Sequence, residues 1–301
     1  MATRVFTEVA TSLDVADSFA LSLAWSPDGQ YLYVGTKDQG LFGFDANSQE
    51  LIFQSGGEGL QVQAIAMNPD GKTLAVGLGN DNSIRLVSAQ TGDLLATIWP
   101  AHENWPQALA FSPDGSILAS GGDDGQIFLW DGHTGDLIKR LFQGEFWVWG
   151  LAFSPNGENL IASFDAESTF RIWNIDTWEL QDTLAGDFAA DLAFSSDGTK
   201  IVTAGGGIHA AHLWNFPTGE LLFDLREAPG WVWAVAYDPH NKFVASGGIG
   251  EVIILWDVTT GKAILELYTG PDFIQALAIN PAGTKLASAG DKVWIWDLSQ
   301  P

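Results

Sequence analysis

His102, Ser120 and Asp124 fall within one short segment of the chain, and Trp130 follows six residues after Asp124. A hydroxyl, an imidazole and a carboxylate are the parts of an acyl-transfer triad, so catalysis is the first chemistry these residues suggest. The remaining histidines are His133, His209, His212 and His240. His209 and His212 have an H-x-x-H spacing, but on a strand residues three apart point to opposite faces. Neither a Cys nor an evident third ligand accompanies them, so no metal site is expected. His133 and His240 sit in turn sequences and are expected to be solvated. Gly205-Gly206-Gly207 is followed by no Lys-Ser/Thr pair, so it is not a phosphate-binding loop. Asp123-Asp124-Gly125 lacks the spaced carboxylates and terminal Glu of a calcium loop. The chain has no Cys, which removes disulfides, thiolate zinc sites and cysteine nucleophiles. No cofactor is expected.

The elements that must position these residues are set by a repeat. One turn recurs seven times: Ser26-Pro27-Asp28-Gly29, Asn68-Pro69-Asp70-Gly71, Ser112-Pro113-Asp114-Gly115, Ser154-Pro155-Asn156-Gly157, Ser195-Ser196-Asp197-Gly198, Asp238-Pro239-His240-Asn241 and Asn280-Pro281-Ala282-Gly283. Successive copies are 42, 44, 42, 41, 43 and 42 residues apart. Pro pre-sets the first turn position, and Asp-Gly or Asn-Gly suits those that follow. Four short apolar runs accompany each turn, as in Leu109-Ala110-Phe111, Ile117-Leu118-Ala119-Ser120, Ile127-Phe128-Leu129-Trp130 and Leu137-Ile138-Lys139-Arg140-Leu141. These are strand lengths bounded by Gly and Asp turns, and no run shows helical spacing. Four strands per repeat, seven times over, describe propeller blades.

The third run of each repeat carries a family signature. It ends in Trp130-Asp131, Trp173-Asn174, Trp214-Asn215, Trp256-Asp257 and Trp296-Asp297, with Phe44-Asp45 and Val87-Ser88 as degenerate copies. The whole chain resembles the WD-repeat β-propeller family. The resemblance implies an all-β seven-bladed propeller of four-stranded antiparallel blades. Its single domain spans 1–301, with a closing strand and lead-in loop over 1–19 and seven repeats of about 42 residues from 20 to 301. The last repeat stops one strand short, and the resemblance implies that an N-terminal strand completes the final blade. Val5-Phe6-Thr7-Glu8-Val9 is the expected segment.

The resemblance also gives a second reading of His102, Ser120, Asp124 and Trp130: a buried hydrogen-bond network that stiffens a blade, in place of a catalytic set. Asp38 and Asp81 occupy the place of Asp124 in the first two repeats, and Glu167, Ile208, Gly250 and Gly290 occupy it in the others. Only the third repeat keeps the full set, so most blades are expected to rely on apolar packing.

Seven residues before each repeated turn stand Phe19, Gln61, Trp105, Trp147, Phe188, Trp231 and Phe273. Five before it stand Leu21, Gln63, Gln107, Trp149, Ala190, Trp233 and Gln275. Two apart on a strand, the two sets share a face. The resemblance places them where the innermost strands open on the central channel. Aromatics there either pack between blades or stand exposed as a partner-binding mouth, for which Phe19, Trp105, Trp147, Trp149, Phe188, Trp231, Trp233 and Phe273 are the candidate residues.

Composition narrows the partner. Asp and Glu number 37 against 13 Lys and Arg, for a net charge of -24. Such a surface repels phosphate backbones and anionic membranes. No signal peptide and no membrane-spanning run is visible, so a cytoplasmic protein is expected. The resulting expectation is a non-enzymatic protein–protein interaction scaffold. It would be a monomeric ring by itself, part of a larger complex, taking a protein or peptide whose basic groups suit the acidic surface and aromatic mouth. A small-molecule or glycan-binding propeller using the same Trp-rich mouth is the alternative.

Overall fold

The computed structural model describes residues 4–6, 10–165, 169–185, 189–205, 210–226, 230–270 and 272–299, and for residues 4–6 and 185 it describes the backbone. Seven blades of four antiparallel strands follow one another along the chain, the sixth extended by a fifth, parallel strand. Their innermost strands are Ala20–Trp25, Val62–Met67, Pro106–Phe111, Val148–Phe153, Asp191–Phe194, Val232–Tyr237 and Ile274–Ile279. Each innermost strand contacts the next, and the seventh contacts the first, so the ring closes. Second strands such as Thr73–Leu78 are buried throughout, because neighbouring blades cover both faces. Outermost strands such as Leu94–Ile98 are largely exposed.

The repeated turn folds as its residues dictate. In the third blade the Gly115 N–H donates to the Ser112 carbonyl (2.8 Å), and Gly115 has φ 74°. The Ser112 hydroxyl donates to Asp114 Oδ1 (2.6 Å) and accepts the Ile117 N–H (2.9 Å), which ties both arms of the hairpin to one side chain. In the sixth blade Asn241 takes the glycine place at φ 57°, a conformation Asn tolerates better than most residues.

Core packing explains the signature at the end of each third strand. Seven apolar clusters fill the seven seams between blades. Trp130, Trp173, Trp214, Trp256 and Trp296 each enter the seam with the preceding blade. Phe44 and Val87 do the same in the first two blades, so the degenerate copies keep the packing role.

An N-terminal strand completes the last blade, but not over the expected residues. Ala10–Leu13 pairs antiparallel with Val293–Trp296, as the outermost strand of the sheet built on Ile274–Ile279. Leu13 and Val15 lie buried in the seam between seventh and first blades, beside Phe42, Phe44 and Val293. A closing strand needs side chains for that seam, and the segment ending at Leu13 supplies them. Of the expected Val5–Val9, residues 7–9 lie outside the described residues. Arg4–Phe6 pairs parallel with Leu265–Leu267, adding a fifth strand to the sixth blade.

Candidate functional site

The site is built where the innermost strands begin. In six blades the first hairpin skips one residue of register there, between Ala20/Ser22, Val62/Ala64, Pro106/Ala108, Val148/Gly150, Val232/Ala234 and Ile274/Ala276. The skipped residues are Leu21, Gln63, Gln107, Trp149, Trp233 and Gln275. A bulge bends its strand and re-aims the extra side chain. All six side chains line a central cavity of about 210 Å³. The following residues line it too, so strict alternation breaks at the mouth: Trp149 and Gly150 both face the cavity, as do Leu21, Ser22 and Leu23.

The structure brings most of the expected aromatics together. Phe19 and Phe273 stack with ring centroids 5.9 Å apart. Phe273 meets Trp233 at 6.3 Å, and Trp233 meets Trp149 at 5.6 Å. Trp231 lies 6.4 Å from Trp233, and Trp147 lies 6.5 Å from Trp149. The result is a continuous aromatic arc from the first blade through the seventh and sixth to the fourth. Trp149 and Trp233 stand two blades apart and meet across Ala190 of the fifth blade, where the small side chain leaves room. Trp105, Trp147 and Trp231 are 39%, 45% and 46% exposed, while Phe19, Phe273, Trp149 and Trp233 are half-buried. Phe188 lies outside the described residues.

The second and third blades make the other half of the rim polar. Gln61 donates to Gln63 (2.9 Å), and Gln63 donates to Gln107 (3.1 Å). Asp123 follows in that chain through its hydrogen bond to Gln107; burial raises its pKa, Gln107 opposes the rise, and the Asp165 charge adds to it. Two carboxylates hold aromatic backbone in place. The Trp147 N–H donates to Asp165 Oδ1 (2.6 Å), and the Phe273 N–H donates to Asp291 Oδ2 (2.8 Å). Glycine permits the close approach that pairs these starts with the second strands. A Cβ on Gly290 would lie 1.7 Å from the Phe273 carbonyl oxygen, and one on Gly248 would lie 1.9 Å from that of Trp231.

Asp191 belongs to this site and was missing from the candidates. Four residues before each turn, six blades have Ser22, Ala64, Ala108, Gly150, Ala234 and Ala276, and the fifth has Asp191. That odd residue in a column of small ones was the available signal. Asp191 lines the cavity. Its Oδ2 accepts the Val235 N–H of the next blade (3.0 Å), and its Oδ1 accepts the Leu192 N–H (2.8 Å). It keeps partial exposure to the channel, yet the enclosing walls desolvate it. That desolvation outweighs both hydrogen bonds and pushes its pKa up to about 7.

The His-Ser-Asp set lies elsewhere, within the third blade. His102 Nδ1 is 3.0 Å from Asp124 Oδ1, and its Nε2 is 2.8 Å from the Ser120 hydroxyl. The Trp130 indole donates to the same hydroxyl (2.8 Å). Burial works upward on the Asp124 pKa, but hydrogen bonds and charge from His102 and backbone N–H groups carry it below the usual range. Part of this network persists in other blades: Trp214 donates to Thr203 (2.9 Å), Trp256 to Ser246 (2.8 Å) and Trp296 to Ser288 (3.1 Å). Apolar packing is therefore not the sole support of those three blades. His212 is buried beside Asp224 at 3.6 Å, His133 and His240 are exposed, and His209 lies outside the described residues.

Comparison with known proteins follows the same lines. The model for WD domain, G-beta repeat matches residues 10–45, 92–131, 135–174 and 219–257. The model for Anaphase-promoting complex subunit 4 WD40 domain matches residues 47–107. B-type cell cycle switch protein ccs52A of Medicago truncatula is 27% identical over 69% of this chain and 44% of its own length. Protein FIZZY-RELATED 3 of Arabidopsis thaliana is 26% identical over 65% of this chain and 41% of its own. Small ribosomal subunit protein RACK1 of Medicago sativa is 38% identical over 33% of this chain and 30% of its own. The chain spans less than half the length of these relatives.

Proposed function

The chain belongs to the WD40-repeat family of β-propellers, and from that premise we propose that it is a non-enzymatic scaffold holding a protein or peptide at its channel mouth. The observation that carries this reading is the aromatic arc with Trp147 and Trp231 exposed at its edge, and Trp105 exposed across the rim. Exposed indoles gathered at one end of a folded ring favour a docking surface, since Trp is over-represented where partners bind tightly. Two similarities by name agree with it: one relative is called a ribosomal subunit protein, and one matching family model is that of a complex subunit.

Two alternatives are weaker on physical grounds. In the His-Ser-Asp set, Ser120 is 0% and His102 4% exposed. The Ser120 hydroxyl is already engaged by His102 and Trp130, so a substrate has no approach to it. A glycan or metabolite within the channel would need more room than about 210 Å³, because pockets for such ligands run to roughly 300–1,000 Å³.

The test is affinity capture from native lysate with the intact chain and with a Trp147→Ala, Trp231→Ala double variant. Both residues are exposed, so the variant should melt as the parent does. A stoichiometric protein held by the parent and lost from the variant is the expected result. A partner held equally by both would move the interface away from the mouth.

A further inference from the structure

We infer that the channel mouth receives a single aliphatic cation, the guanidinium or ammonium of a partner's Arg or Lys side chain, with Asp191 as its counter-charge and the Trp149 and Trp233 indoles as its walls. The inference deepens the proposed partner-binding role and rests on it for the source of the cation.

Asp191 carries both hydrogen bonds and a charge at the channel wall. Its two oxygens accept backbone N–H groups of Leu192 and Val235. A neutral Asn would carry no charge into the channel but could accept just one of these bonds, because its NH2 group donates. The two backbone hydrogen bonds account for two acceptor oxygens, and no cationic side chain among the described lining residues balances their charge. That charge is costly where it stands. Of the described residues lining the cavity, Asp191 alone is ionisable. The flanking strand of the fourth blade faces the cavity with Trp149, Gly150 and Leu151, and that of the sixth with Trp233. Asp191 pairs with Ala204 of its own blade, and the lining residues of the other blades are apolar apart from Ser22, Gln63, Gln107 and Gln275. A carboxylate in such walls is stabilised strongly by any cation that reaches it.

The surroundings select the kind of cation. Calcium or magnesium takes six or more oxygen ligands, and one carboxylate with both oxygens engaged does not supply them. Indole faces instead attract organic cations. Trp149 and Trp233 meet at 5.6 Å across the strand that carries Asp191, so both walls and counter-charge belong to one pocket. A volume of about 210 Å³ suits one extended side chain. The exposed Trp147 and Trp231 indoles beside the pocket offer further contact to the chain that carries the cation, which favours a peptide side chain over a free small cation. Asp123 and Asp165 at the rim add attraction along the approach.

The experiment follows the Trp149 and Trp233 indole N–H signals in proton–nitrogen spectra of the whole chain. Three probes are titrated at pH 8: a blocked Gly-Gly-Arg-Gly-Gly peptide, the same peptide with citrulline, and n-butylguanidinium. Citrulline keeps the shape of Arg and removes its charge. The expected result is binding of the Arg peptide at least tenfold tighter than the citrulline peptide, with the preference abolished by Asp191→Asn. In the unsubstituted chain the preference should shrink at pH 5, which gives a readout without any substitution. Equal binding of the two peptides, or a preference that survives Asp191→Asn in a folded variant, overturns the inference. Binding of n-butylguanidinium without the Arg peptide also overturns it, because the pocket would then take a free guanidinium rather than a partner's side chain. Failure here leaves the scaffold reading standing if capture still depends on Trp147 and Trp231. Loss of that dependence, with the peptide preference intact, would instead fault the scaffold reading alone.

Discussion

At the scale of single residues, two kinds of carboxyl group make opposite predictions. Asp191 has a folded pKa of about 7, against about 4 in an unfolded chain. Between those values the folded state keeps a proton that the unfolded state releases, so stability is full below about pH 4 and declines as the pH rises through 7. Asp191→Asn should raise the melting temperature at pH 8, with the gap to the parent closing as the pH falls to 5. A gap that stays constant would show that the carboxyl is unperturbed. Turn aspartates act the other way. Ser26 and Ser112 hydrogen bonds hold the carboxyls of Asp28 and Asp114 below their usual values, and the Ser195 hydrogen bond takes Asp197 to about 2. Their contribution is present above pH 4 and lost as the pH falls below it. His102→Ala takes a buried partner from Ser120 and from Asp124, while Trp130 keeps its bond to Ser120, and should cost about 1–3 kcal/mol in urea unfolding with an unchanged slope. The family resemblance implied that network, because the third repeat matches the family's His, Ser, Asp and Trp pattern in full. It passed over Asp191, because an Asp inside an apolar run reads as ordinary until the seven repeats are aligned at that column.

At the scale of strands and turns, the sequence was most legible where chemistry is local. Seven repeated turns, five of them with both Pro and Gly, and the aromatic before Asp or Asn in six repeats mark the hairpins directly, since those residues set backbone angles and seam packing within one repeat. The bulges were not legible. Leu21, Gln63, Gln107, Trp149, Trp233 and Gln275 share no residue type, and the extra residue is imposed by how seven strand starts fit around one channel. The closing strand was misplaced for a related reason. Val5–Val9 and Ala10–Leu13 both have apolar residues, and only the seam between first and seventh blades distinguishes them. The structure assigns the larger burden to Leu13, which is 6% exposed. Leu13→Ala should therefore cost about 2–5 kcal/mol, whereas deleting residues 1–6 removes three parallel pairings at a blade edge and should lower the melting temperature far less. Chemical denaturation of the two variants side by side would check this, and an equal loss would mean that both segments share the closure.

At the scale of the whole molecule, charge and shape act together on the partner. A net charge of -24 creates a field that falls off over about 8 Å at physiological salt, and more slowly in dilute buffer. Such a field changes how fast an oppositely charged surface arrives more than how long it stays. The aromatic arc acts over contact distances and is indifferent to salt. The two features therefore separate in kinetics. For a basic partner, raising salt from 50 to 500 mM should slow association at least tenfold with little change in dissociation. Trp147→Ala with Trp231→Ala should instead speed dissociation and leave the salt dependence of association as it was. Surface-plasmon measurements on a captured partner would distinguish these effects. An association rate insensitive to salt would mean that the partner meets the rim through the indoles alone, with the acidic surface serving solubility rather than encounter.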